Sequence, residues 1–487
     1  MGFVQMAWWG KLLLAGAVAL GLNAAPAGLL DILDAGDQAL TGGQPARALG
    51  LYEQLSTHAE GKPAATLGTA RAQLALAQQD TVGAISAYGL ARDAWLAAVP
   101  YHGFDASIRR GLAEAFLGLG ETLAAAEQWG AAFAANPADP SLWYQLAPAH
   151  LERGDWEAAR HAYDAIAAAE PDNTEARYWA GTLHLLTDAI QAQGHLLHAR
   201  TDPFYTRRSD RLLAALSDLQ NITHPSHAAG RLGIAFLEAG EPALAEIQFR
   251  LALEQEPDYA DAWAYLGLAE NQLGKDGRMA IARAIELEPD SSLAHSIMGH
   301  HWLGHGRPHL ARPEFMAAWQ LNSTNPAHMA DVASAYQAEG DFASAEAWYQ
   351  AAVRQDPDDA TFWILLARFL LDAFSGELND GLLVAQKAVA LEPEDPAALD
   401  TLGWAQFLNG RPRLAETNLI AARQRDPSSP ATHYHLGRLY LAQYAWQEAV
   451  ESFEHAVALD SICRGCHRSR PGSYAQLAQG ALEEMGH

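Results

Sequence analysis

The stretch PATHYHLGRLYLAQYAWQEAVESFEHAVALDS, residues 430–461, holds two apolar periodicities of helical type in 32 residues. Leu436, Gly437 and Tyr440 fall on one face of a first helix. Ala449, Phe453 and Ala456, at spacings of four and three, make the buried stripe of a second. A small residue beside Leu436 lets the two helices approach closely. A helical hairpin is the unit this spacing predicts.

Working outward, the same pattern recurs. The unit before it has Leu402-Gly403, Ala415, Leu419, Ala422 and Pro427. The unit from Ser226 has Leu232-Gly233, Phe236, Gly240, Ala245, Phe249, Ala252 and Pro257. The unit from Pro326 has Ala333, Tyr336, Gly340, Ala345, Tyr349, Ala352 and Pro357. Proline follows an acidic or amide residue at Pro137, Pro171, Pro257, Pro289, Pro326, Pro357, Pro393 and Pro427. The mid-unit Gly is expected to end the first helix, where a positive φ costs it little. Asp155, Glu241 and Asp341 are expected to cap the second helix, and Pro to close the unit.

A period near 34 residues marks stacked helical hairpins, and about eleven or twelve units fit between Leu29 and Ser461. In these residues the chain resembles the tetratricopeptide repeat family over most of its length. That resemblance implies an all-α, right-handed helical-hairpin solenoid whose concave groove, lined by first helices, holds a protein partner. The expected layout is an N-terminal array over 29–205 with degenerate units, an irregular connector helix over 206–225 and a C-terminal array over 226–461. A loop and a capping helix over 462–487 would cover the last apolar face. The unit from Ala260 is short by two residues.

The formal charge of −26 repels phosphate backbones, so nucleic acid is not an expected partner; a basic protein segment is. No nucleotide-binding loop or G-x-S-x-G elbow occurs, so no catalytic residue is assigned and an enzyme is not expected.

Residues 1–28 read as an export signal or an uncleaved membrane anchor, with a buried first helix as the third reading. Leu12 to Leu22 is apolar or Gly, Lys11 precedes it, and Ala25-Pro26-Ala27 offers a cleavage site. The repeats are accordingly expected outside the cytoplasm, with any membrane contact confined to that segment.

The two cysteines lie in Cys463-Arg464-Gly465-Cys466-His467, the C-x-x-C-H form of a c-type haem attachment site. Under that reading both thiols bind one porphyrin, His467 is the proximal iron ligand, Arg468 and Arg470 neutralise propionates, and a redox partner follows. The sixth ligand is unknown; Met485 and His487 are candidates. A small-loop disulfide and a zinc half-site remain open beside it. The function reads as an exported or tethered scaffold, with an electron-transfer cytochrome or a cytosolic adaptor as alternatives.

One repeat carries His295, His300, His301, His305 and His309. His301 and His305 share a helix face at chelating spacing, but an ordinary polar face is the favoured reading. Trp143, Trp263, Trp363 and Trp404 read as core.

Overall fold

In the computed structural model, which describes residues 27–79, 84–135, 141–372, 378–462 and 473–485, helix follows helix in antiparallel pairs, and no strand occurs among them. The helices divide into two compact units, 1–184 and 185–487. The first contains α1 (Ala27–Thr41), α2 (Pro45–Ser56), α3 (Lys62–Gln79), α4 (Ala84–His102), α5 (Ala106–Gly118), α6 (Thr122–Ala135), α7 (Ser141–Arg153), α8 (Trp156–Ala169) and α9 (Thr174–His184). The second begins with α10 (Ala189–Ala199) and α11 (Pro203–Leu219). Hairpins follow: α12 (Pro225–Ala239) with α13 (Pro242–Gln255), α14 (Ala260–Gln272) with α15 (Arg278–Leu287), α16 (Ser292–Gly304) with α17 (Pro308–Leu321), and α18 (Pro326–Glu339) with α19 (Phe342–Gln355). Then come α20 (Ala360–Asp372) with α21 (Leu378–Leu391), α22 (Pro396–Leu408) with α23 (Pro412–Arg425), α24 (Pro430–Ala442) with α25 (Trp446–Ile462), and a last helix, α26 (Tyr474–Met485).

The repeat residues do what their chemistry requires. A Cβ on Gly437 would press into the ring of Phe453, and one on Gly403 into Leu419, so both glycines are contact points between paired helices. Gly240 and Gly340 end α12 and α18 with φ of 82°, the left-handed cap that glycine adopts without a Cβ penalty. The residue before the closing proline is extended at Glu170, Glu288, Asp356 and Asp426, and at Glu256 (φ −139°, ψ 84°), because proline disfavours helix at the preceding position.

The capping expectation holds at Asp341, whose carboxylate accepts from the Ser344 amide at 3.1 Å. It fails at Asp155 and Glu241, whose side chains make no cap bond. There the helix opens on backbone bonds alone, Ala159 N–H to the Asp155 carbonyl and Ala245 N–H to that of Glu241. Pro242 at the first position of α13 also removes one donor that would need a cap.

Within the second unit, first helices touch the next first helix along the stack, from α12 through α14, α16, α18, α20, α22 and α24 to α26. Second helices make no comparable contact with one another. The stack is therefore tighter on the first-helix side, which forms the inner face. It curls far enough that Arg207 of α11 lies 3.5 Å from Asp426 and 4.0 Å from Asp395.

α26 closes the last apolar face. Ala478 and Leu482 are buried against Tyr434, Phe453 and Ala456, and Met485 packs at the edge of the same cluster. Among the described residues no helix is long and apolar enough to cross a membrane.

Candidate protein-binding groove of the second unit

The inner face carries two polar clusters. In the first, Asp331 of α18 accepts from Ser296 of α16 at 2.8 Å. His300 Nε2 lies 3.0 Å from its other oxygen, and His328 Nδ1 is 3.8 Å away. Burial alone would raise this carboxyl, but His300, His328 and Ser296 outweigh it and hold it at about 2. His300 stands edge-on to Phe315, at 4.9 Å between ring centroids.

The second cluster is built by α20, α22, α24 and α26. Asp400 is 2% exposed and His435 4%. His435 Nδ1 lies 3.0 and 3.2 Å from the two Asp400 oxygens. Arg368 adds its charge at 3.9 Å and donates to Thr401 Oγ1 at 3.1 Å. Burial would raise Asp400; His435, Arg368 and Thr432 keep it below the usual carboxylate range. The His435 ring stacks on Trp404, with centroids 4.4 Å apart and planes at 15°. Tyr474 meets the same imidazole edge-on at 5.2 Å, and burial pushes its phenol up to about 12. Arg438 donates to the Tyr434 hydroxyl at 2.9 Å. The buried acid and imidazole with the half-buried indole thus form a floor, with Arg368 beside Asp400 and Arg438 beside the neighbouring Tyr434, both with donors to spare.

Among the described residues, no three of the histidines singled out in the sequence gather on one point. His295 Nδ1 is 2.7 Å from Glu314. His301 Nδ1 is 2.9 Å from Asn271 Oδ1. His305 turns Nδ1 onto the carbonyl of His301 at 2.8 Å. Burial, with His305 beside it, lowers His301. The rings of His301 and His305 do meet, with centroids 4.3 Å apart, but His301 is buried and both Nδ1 atoms are taken by Asn271 and a backbone carbonyl. Trp263 and Trp363 are structural in a specific way: each indole N–H donates to the carbonyl of a proline six residues earlier, Pro257 and Pro357. His295 and His433 approach Pro289 and Pro427 from the same register.

Cys463, Cys466, His467, Arg468, Arg470 and His487 lie outside the described residues, as does the segment 1–26. The sequence reading missed Asp331, Asp400, His435 and Arg368. A signal was present: Asp400 and Thr401 precede Leu402-Gly403, and His435 precedes Leu436-Gly437, polar residues on the inner face beside the helix-contact pair.

Two family models, each described as a tetratricopeptide repeat, match the chain, one at residues 303–369 and the other at 144–196, 231–280 and 401–461. A 229-residue stretch is 24% identical to the Protein CTR9 homolog of Arabidopsis thaliana, covering 44% of this chain and 21% of that protein. The chain thus spans about a fifth of that relative's length. Among solved structures it is similar to yeast Tom70 (16% identity, TM-score 0.43, 94% of this chain and 95% of the other). It is also similar to a chain of the APC/C hetero-tetramer Cut9-Hcn1 (16% identity, TM-score 0.43, 92% and 95%). At the matched residues the chain carries tetratricopeptide repeats, within an all-α helical-hairpin solenoid.

Proposed function

We propose that the inner face of the second unit holds an extended segment of a partner protein, anchored over the Asp400–His435–Trp404 floor. The observation that carries this reading is the floor itself. A buried carboxylate costs stability that apolar packing would not, and here it lies 3.9 Å from Arg368 and holds an imidazole that stacks on Trp404, on the face that curvature makes concave. Arg368 and Arg438 would donate to backbone carbonyls of the segment, and Trp404 would pack along it. An Arg368→Ala, Arg438→Ala double variant should bind the native partner about tenfold more weakly, as expected for two lost charged donors, with a somewhat lower unfolding midpoint because Arg368 also supports the buried Asp400 carboxylate. Undiminished affinity would place the partner elsewhere.

The same reading locates the repeats outside the cytoplasm, on the composition of residues 1–28. It assigns one haem c to Cys463 and Cys466 with His467 as axial ligand, on the motif and its agreement with export. Intact mass of the exported chain separates the alternatives. Haem adds the porphyrin mass and survives denaturation, a disulfide removes two hydrogens, and zinc leaves with a chelator. A mass equal to the reduced apo chain would end the haem assignment.

A further inference from the structure

In the second unit the hairpin turn places Gly240, Gly274, Gly306, Gly340 and Gly410 at φ between 66° and 82°. In the last hairpin the same position is Tyr444, at φ 62°. The turn itself is unchanged. Tyr444 N–H donates to the Leu441 carbonyl at 3.1 Å and Ala445 N–H to that of Tyr440 at 3.0 Å. Gly340 and Asp341 make the matching bonds to Gln337 and Tyr336, both at 3.0 Å. Glycine would therefore close this turn without strain, whereas an aromatic residue in the left-handed region costs free energy.

Among the described residues nothing in the core repays that cost. A Cβ at Gly240, Gly306, Gly340 or Gly410 meets no atom within 4 Å, so the position faces open space. Tyr444 is 77% exposed and Trp446, the first residue of α25, is 55% exposed. The two rings stand T-shaped with centroids 6.2 Å apart, and neither belongs to the cluster under α26. Strain maintained for an exposed side chain points to recognition.

The surroundings say what is recognised. From Leu439 to Ile462 the chain has no Lys or Arg, and it carries Glu448, Glu451, Glu454 and Asp460. Glu448, Glu451 and Glu454 are exposed. Glu416 of α23 and Glu448 both add to the burial that raises Tyr440, one turn back, against Arg423. Aromatic faces within an acidic field attract cationic side chains.

We propose that Tyr444 and Trp446 form an aromatic platform on the turn edge of the last hairpin that docks a basic segment of a partner protein through its Arg or Lys side chains. This surface is separate from the groove floor and does not depend on the groove reading. The test uses the full chain at physiological ionic strength with two fluorescein-labelled octapeptides, alternating Gly-Arg and alternating Gly-Gln. The Arg peptide should bind and the Gln peptide should not. Trp446→Ala and Tyr444→Gly should each weaken the Arg peptide about three- to tenfold, while Phe342→Ala, at an exposed aromatic elsewhere, leaves it unchanged. Tyr444→Gly should also raise the unfolding midpoint by roughly 2 °C as the strain is released. The proposal is overturned if the Arg peptide does not bind, if the Gln peptide binds equally, or if neither variant weakens binding, since diffuse charge would then be the attraction. A lowered midpoint in Tyr444→Gly would make Tyr444 a structural residue and overturn it as well.

Discussion

Asp331 and Asp400 occupy inner-face positions flanked by apolar helix contacts, and each has a histidine from a neighbouring first helix within 3.0 Å. For Asp331 the consequence is a pH dependence with a defined sign. Its carboxyl is held at about 2 against an ordinary value of 3.8. A carboxylate whose folded value is depressed stabilises the fold above its unfolded value and loses that contribution as pH falls through the folded one. Its contribution at neutral pH is on the order of 2 kcal/mol. The account predicts that urea unfolding of the wild type and Asp331→Asn differs by about this amount at pH 6, and that most of the difference is lost by about pH 2 and the rest by about pH 1. A difference that is undiminished at pH 2 would mean that Asp331 acts through packing and not through charge.

The glycines sort into three kinds at the level of elements, and only two were legible in the sequence. Gly437 and Gly403 stand beside a Leu in a repeated pattern, so their role as helix contacts could be read. Gly240 and Gly340 fall midway between two apolar stripes, so their role as caps could be read too. Gly277 could not. It explains why the unit from Ala260 is two residues short: a Cβ there would run into the carbonyl of Gly267 on α14, so the two backbones cross almost directly. Asn271 completes the crossing by accepting from Gly277 N–H at 3.1 Å while its Oδ1 also faces His301. Periodicity records that residues are missing but not which atoms then meet. The Pro carbonyl ties of Trp263, Trp363, His295 and His433 were hidden for the same reason, since chemically unlike side chains share one donor role. Substitution by Ala should rank these sites. Gly410→Ala should cost about 1 kcal/mol through its φ of 70° alone. Gly437→Ala should cost roughly 1–3 kcal/mol because the Phe453 ring can yield. Gly277→Ala should cost more than either, because backbone cannot yield by changing rotamer. Denaturant midpoints of the three variants check the order; equal losses would contradict the crossing.

The whole chain carries a formal charge of −26, and its polar inner face lies in the second unit between α16 and α26. The repeat period, the fold class and the capping helix were available from spacing because each depends on local apolar pattern. The clusters at Asp331 and Asp400 were not, because they join residues about 33 to 35 positions apart whose meeting depends on how successive hairpins stack. The central claim, that this inner face is where a partner segment lies, is tested most directly by site-specific photo-crosslinking in the native host. A photoreactive amino acid at Arg438, on the inner face, is compared with one at Arg283, on a second helix. The account predicts adducts to a protein at position 438, mapped by mass spectrometry to one extended segment, and none to that segment from position 283. Adducts to the same segment from position 283, with none from 438, would contradict it.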